Sequence, residues 1–175
     1  KKTVIGDVMN IKKVRVDKEG TGMGWGAVYA QYLESMDQIG EQGNGLSVSR
    51  QLYKGDEALN ESAPLKVGDK ITVRLTVKAD RDMDFVQIKD DRAACMEPLQ
   101  AVSGFRWSNG LGYYQATKDA STQFFIDQMR KGTYVIEYQV YVNRTGEYQT
   151  GIATVQSAYA PEFGGHTGGY RVMVE

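Results

Sequence analysis

Ile71-Thr72-Val73-Arg74-Leu75-Thr76-Val77-Lys78 is the stretch that decides the fold. Aliphatic and polar residues alternate one for one, the period of a strand with one face in a core and the other in water. Leu65-Lys66-Val67-Gly68-Asp69 leads into it as a turn. Downstream the same chemistry repeats. Phe105-Arg106-Trp107-Ser108 and Leu111-Gly112-Tyr113-Tyr114 flank Asn109-Gly110, a pair suited to a two-residue hairpin turn with positive φ at both centres. A second hairpin is expected near Lys131-Gly132, leading into the alternating Tyr134, Ile136, Tyr138, Val140 and Val142. Thr145-Gly146 then leads to Ile152-Ala153-Thr154-Val155, and a last strand is expected from Tyr170 to Val174. These signals, closely spaced and joined by turn residues with no convincing helix between them, predict an all-β chain built as an antiparallel sandwich or barrel.

Upstream the reading is less direct. Ile11, Val14 and Val16 among lysines and an arginine suit an exposed or edge strand, and Gly20, Gly22, Gly24 and Gly26 follow as a flexible turn. Trp25, Val28, Tyr29, Tyr32, Leu33 and Met36 fall at the spacing of an amphipathic helix, while the valine and tyrosines among them favour a strand. Leu46 to Tyr53 suits a linking strand, and a domain boundary is expected near residue 48.

Composition narrows the function classes. Among 175 residues there is one cysteine and one histidine, so neither an internal disulfide nor a structural zinc site built on clustered sulfur and nitrogen ligands can form. A net charge of -1 gives no electrostatic footprint for nucleic acid. No apolar run approaches the roughly 18 residues of a membrane helix, and the chain reads as a soluble piece of something longer with no cofactor. Gly22-Met23-Gly24-Trp25-Gly26-Ala27 fits a dinucleotide fingerprint in spacing, yet the preceding segment is studded with charge and no parallel βαβ pattern follows, so a glycine turn is the better reading. Asp80, Asp82, Asp84, Asp90 and Asp91 are interleaved with Arg81, Lys89 and Arg92, which suits a solvated turn rather than a calcium loop. Cys95 in Ala93-Ala94-Cys95-Met96 suits a small buried thiol. His166 lies in Gly164-Gly165-His166-Thr167-Gly168-Gly169, a loop too flexible to hold a catalytic base unless packing fixes it.

The segment from Leu65 to Glu175 resembles the C-terminal macroglobulin-like domain of bacterial alpha-2-macroglobulins. The resemblance rests on Leu65-Lys66-Val67-Gly68-Asp69 before its strand, Asp91-Arg92-Ala93-Ala94-Cys95-Met96-Glu97-Pro98, Lys131-Gly132-Thr133-Tyr134, Thr145-Gly146-Glu147-Tyr148 and Ala158-Tyr159-Ala160-Pro161-Glu162-Phe163, in that order. Trp25-Gly26-Ala27-Val28-Tyr29-Ala30-Gln31-Tyr32-Leu33 is similar to the strand with which those proteins close the small β domain before this one. The family commonly carries glycine where Cys95 stands. Gly40-Glu41-Gln42 matches three of the four residues of the thioester motif Cys-Gly-Glu-Gln, but Ile39 stands where the sulfur is required and no such bond can form here.

The resemblance implies an immunoglobulin- or fibronectin-like β-sandwich over residues 49–175, preceded over 1–48 by the last strands of another β domain. It implies a non-catalytic part of an exported protease-trapping inhibitor, periplasmic, outer-membrane-associated or secreted. In such a protein this domain docks against a thioester-type helical domain, shields its bond from water, and meets proteases only through the whole molecule. Tyr159, Pro161 and Glu162 are the residues expected to dock. Two other classes compete: a carbohydrate-binding or adhesive sandwich with Trp107 and exposed tyrosines as a stacking platform, and a hydrolase built around His166.

Overall fold

The computed structural model describes residues 11–26, 29, 33–60 and 63–175, and by its contacts the chain divides into two units, Lys1–Leu33 and Glu34–Glu175. In the first unit, none of the described residues lies in a strand or helix, and all of them are exposed. The edge strand expected around Ile11, Val14 and Val16 does not form there, since none of these residues is paired in a ladder and Val16 is open to solvent. Of the segment holding both the helical and the strand reading, 25–36, residues 27, 28 and 30–32 lie outside the described residues.

In the second unit, a single 3-10 turn at Met36–Gln38 precedes strands in every remaining element. These are β1 (Gln42–Asn44), β2 (Leu46–Lys54), β3 (Glu57–Ala58), β4 (Lys70–Ala79), β5 (Met83–Asp91), β6 (Met96–Pro98), β7 (Gly104–Ser108), β8 (Leu111–Thr117), β9 (Ser121–Met129), β10 (Gly132–Val142), β11 (Gly146–Gln149), β12 (Ala153–Ser157), β13 (Gly164–His166) and β14 (Arg171–Val174). One layer runs β6-β10-β4-β2 and the other β12-β5-β9-β8-β7, with β1 and β13 joining them into one continuous hydrogen-bonded path, while β11 and β14 pair separately. All ladders between strands are antiparallel. The β-sandwich expected from the alternation is present.

The deciding stretch lies at the centre of the first layer. Ile71, Val73, Leu75 and Val77 of β4 are all buried, and they face Val86 and Ile88 of β5 and Phe124 and Ile126 of β9 within one core. Burying one such side chain contributes about 1.5–3 kcal/mol, so alternation on this scale fixes which face of each strand turns inward. Asn109 and Gly110 take φ of 50° and 78° between β7 and β8, the turn expected of them. Lys131-Gly132, by contrast, is no hairpin. β9 pairs with β5 and β8 whereas β10 pairs with β4 and β6, so the chain crosses between layers at this point, and the Lys131 amide donates to Asp82 Oδ1 (2.7 Å). Leu46–Lys54 is not a linker but an interior strand that runs through residue 48 and pairs with β4 along eight residues, Leu46 to Tyr53.

A buried charge pair ties the layers. Arg50 of β2 donates from Nη1 to Asp90 Oδ1 of β5 (2.6 Å), with side-chain exposures of 5% and 1%. Its Nη2 donates to Thr150 Oγ1 (3.0 Å) and the Gly151 carbonyl (2.5 Å), and Tyr138 of β10 donates its hydroxyl to Asp90 Oδ2 (2.7 Å). Burial raises the Asp90 carboxyl above its ordinary range, with Arg50 and the Tyr138 hydroxyl pulling it back, and burial likewise puts the Tyr138 hydroxyl well above its own. Asp90 thus departs from the solvated acidic turn expected for 80–91. It sits at an inward position of β5, where the alternation of Val86, Ile88 and Asp90 decides burial and charge does not.

Cys95 is fully buried, and burial pushes its thiol up. Iodoacetamide is expected to leave the native chain unlabelled and to alkylate Cys95 at the rate of unfolding. Labelling of folded protein as fast as a free thiol, followed by mass spectrometry, would contradict that placement.

Candidate docking site

β12 ends at Ser157, two residues before Tyr159 and four before Pro161, as expected where a proline cannot extend a ladder. One further bond, Ala158 N to the Phe85 carbonyl (2.9 Å), carries the chain past β5. Ala160-Pro161-Glu162-Phe163 then forms a turn closed by Phe163 N to the Ala160 carbonyl (2.9 Å), with Pro161 at the position its fixed φ favours. Phe163 returns a bond to the strand end through its carbonyl and Ser157 N (3.0 Å). Side chains brace the loop from outside: Gln156 Nε2 donates to the Pro161 carbonyl (3.2 Å) and Asn44 Nδ2 to the Glu162 carbonyl (2.7 Å).

Phe163 is the anchor of this loop, and the sequence reading missed it. Its ring lies under the Arg81 guanidinium, 4.6 Å away, and beside Gly45, whose φ is 70° and where an added Cβ would stand 2.7 Å from Phe163 Cδ1. The positive φ and the missing Cβ of Gly45 are what admit the ring so close to the backbone. The Asp80 carboxyl is held below its usual range by its hydrogen bond to Arg81.

Tyr159 points the other way. It is 78% exposed and meets Phe85 edge-to-face, with ring centroids 5.1 Å apart at 82°. Phe85 itself is 49% exposed at a φ of 52°, an uncommon conformation for a bulky side chain. At this residue the in-out alternation of β5 slips, since Asp84 and Phe85 both face out between the buried Met83 and Val86, and Phe85 has no ladder partner in β9. The strained backbone places one aromatic ring beneath another at the surface. Pro161 and Glu162 are exposed beside them, so the structure brings the three expected residues into one braced loop. Tyr159→Ala is expected to cost about 1 kcal/mol, the worth of an edge-to-face pair, and to move the thermal midpoint of the chain by only a few degrees. A loss matching the roughly 3–5 kcal/mol of a buried aromatic would show that the ring supports the core.

The competing sites fare differently. His166 stands in β13 rather than in a flexible loop, paired with Gln42 and Thr154, and among the described residues the one hydrogen-bond contact of its ring is with the Thr167 carbonyl (Nδ1 to O, 3.2 Å). Neither Cys95 nor a serine is at hydrogen-bond distance from it. Trp107 and Phe105 are strongly exposed on β7, Phe105 meeting Tyr114 edge-to-face at 5.1 Å and Trp107 lying over Gly112.

Comparison with known proteins places this fold. The chain is similar to Salmonella alpha-2-macroglobulin reacted with methylamine at 19% identity and a TM-score of 0.66, over 78% of this chain and 10% of that one. It is similar to native Escherichia coli alpha-2-macroglobulin from domain MG7 to the C-terminus at 17% identity and a TM-score of 0.65, over 77% of this chain and 24% of that one. Among curated proteins it is 28% identical over 166 residues to Circularly permutated Ras protein 2 of Dictyostelium discoideum, a match covering 91% of this chain and 4% of that protein's length. The family model described as the bacterial alpha-2-macroglobulin MG10 domain matches residues 45–162, from the glycine beside Phe163 to the turn at Pro161 and Glu162. With two thirds of its length on that model and the corresponding sandwich in its structure, the chain belongs to the bacterial alpha-2-macroglobulin MG10 domain family.

Proposed function

We propose that this chain is a non-catalytic docking domain of an exported alpha-2-macroglobulin-type protein that traps proteases, and that its Tyr159, Pro161 and Glu162 loop bears on a neighbouring thioester-type helical domain. In the resting molecule the contact shields the thioester from water, and cleavage of a bait segment by a target protease releases it. The first unit, Lys1–Leu33, is assigned to the end of the preceding β domain, whereas residues 42–48 pair within the sandwich. The observation that carries this reading is Tyr159. A large aromatic, 78% exposed, stands on a strained Phe85 at the end of a strand whose following loop is tied down by hydrogen bonds from Gln156 and Asn44. An exposed aromatic held rigid at little entropic cost is the kind of residue that anchors an interface.

The test compares Tyr159 in this chain and in the intact parent protein. Tetranitromethane is expected to nitrate Tyr159 readily in residues 1–175 alone and several-fold more slowly in the resting parent, with protection lost after protease treatment. In the parent, Tyr159→Ala is expected to speed reaction with methylamine. Equal nitration in both settings removes the docking surface; protection without any change in amine reactivity assigns the contact to a domain other than a thioester one.

A further inference from the structure

A second site lies at the open seam of the sandwich, away from the docking loop. β10 is paired with β6 only over Val140–Val142, and its earlier residues leave one edge facing the β7–β8 hairpin, whose Asn109 Nδ2 reaches the Val135 carbonyl (3.3 Å). A cleft of about 350 Å³ opens between them, within the size range of small-molecule sites, lined by Gln100, Arg106, Tyr113, Gln115, Thr117 and Gln139 among others.

Two of these residues make no use of their polar groups within the protein. Tyr113 and Gln115 occupy inward positions of β8 and are each only 6% exposed, yet among the described residues neither the Tyr113 hydroxyl nor the Gln115 amide has a hydrogen-bond partner. Their polar atoms are not sealed in the core but open into the cleft, where they are free to meet a ligand. Arg106 is almost as loosely held, with two contacts of 3.4 Å to the Phe105 and Val102 carbonyls. Arg50, in contrast, shows how this fold binds a guanidinium it needs for structure.

We infer that the seam cleft binds a neutral, hydroxyl-rich ligand of monosaccharide size, a sugar unit of a glycan. The lining chemistry selects this class. Glutamine amides and threonine and tyrosine hydroxyls each offer both a donor and an acceptor, as a sugar hydroxyl does. A phosphate or carboxylate only accepts, and it would face the amide oxygens and the Glu137 carboxylate, which shares the cleft and is already engaged by Arg74. The inference is independent of the docking reading, because no residue of the Tyr159 loop lines this cleft.

The test titrates the chain of residues 1–175 with the methyl glycosides of glucose, galactose, mannose and N-acetylglucosamine, followed by amide chemical shifts. At least one is expected to give saturable shifts over Tyr113–Thr117 with a dissociation constant of millimolar order, weakened about tenfold or more by Gln115→Leu and by Tyr113→Phe. Tyr159→Ala is expected to leave the titration unchanged. Both cleft variants are expected to melt within a few degrees of the unsubstituted chain, since each removes a polar group that opens into the cleft and makes no hydrogen bond within the protein. Absence of saturable shifts with all four glycosides overturns the inference. Shifts at these amides with inorganic phosphate alone overturn the neutral class, and a midpoint lowered by several degrees in Gln115→Leu with binding unchanged shows the amide to be structural.

Discussion

Arg50→Met is expected to destabilise the chain by about 3–5 kcal/mol, lowering its thermal midpoint by roughly 6–20 °C. The substitution fills much of the space but removes the one cation bonded to Asp90 among the described residues, leaving a carboxylate that is 1% exposed in the side chain with the Tyr138 hydroxyl as its remaining donor among them. It also strips the Thr150 hydroxyl and the Gly151 carbonyl of their guanidinium. The loss carries a pH signature. Burial already raises the Asp90 carboxyl, and without Arg50 it rises further above the unfolded value near 3.9. A group with a raised folded pKa contributes stability that is fully present below its unfolded pKa and is lost as pH rises through the folded one. The deficit of Arg50→Met should therefore be large at pH 7 and shrink towards pH 4, as followed by circular dichroism melts across that range. Adding Asp90→Leu to Arg50→Met should restore much of the midpoint, because the pair can be replaced by apolar groups but not halved. A deficit independent of pH, or a double variant no better than the single one, would show that packing and not charge pairing holds the layers.

Gly165→Ala is expected to be nearly as damaging. At this residue β13 passes between β1 and β12, and an added Cβ would lie 2.6 Å from the Gln42 carbonyl oxygen, 2.8 Å from that of Leu46 and 3.0 Å from Gly43 Cα. All three are backbone atoms in the corner where the two layers join, so no side chain can rotate out of the way. The cost is expected to reach or exceed the upper end of the roughly 1–3 kcal/mol typical of overpacking. Gly40→Ala serves as the control: its Cβ meets nothing within 4 Å. Equal midpoints for the two variants in urea or thermal melts would show that the corner is not tightly packed in solution.

The glycine-rich run 164–169 makes the same point about what a sequence conveys. Read as sequence, Gly164-Gly165-His166-Thr167-Gly168-Gly169 is an adaptable loop; folded, its first three residues are a strand whose glycines let backbones approach. Glycine permits both, and only the neighbours decide which. Phe163 illustrates the complementary gap. Its ring packs under Arg81 and against Gly45, and those partners stand 82 and 118 residues before it in the chain, too far for any local pattern to report.

Features that depend on period and turn chemistry were legible before folding. The alternation at 71–77 gives the inward face of β4, Asn109-Gly110 gives the β7–β8 turn, and the proline at 161 gives the strand end at which Tyr159 stands. Each of these is a local steric or solvation rule that operates within a few residues. Which strands are neighbours emerges from the folded chain alone. It sent Lys131-Gly132 across the layers, made residues 46–54 an interior strand, turned Asp90 into the buried partner of Arg50, and left Tyr113 and Gln115 facing the seam. Those outcomes rest on pairings that run from Tyr53 with Thr72, 19 residues apart, to Arg50 with Thr150, 100 apart, whose energies depend on shape and burial at both ends and are written in neither segment alone.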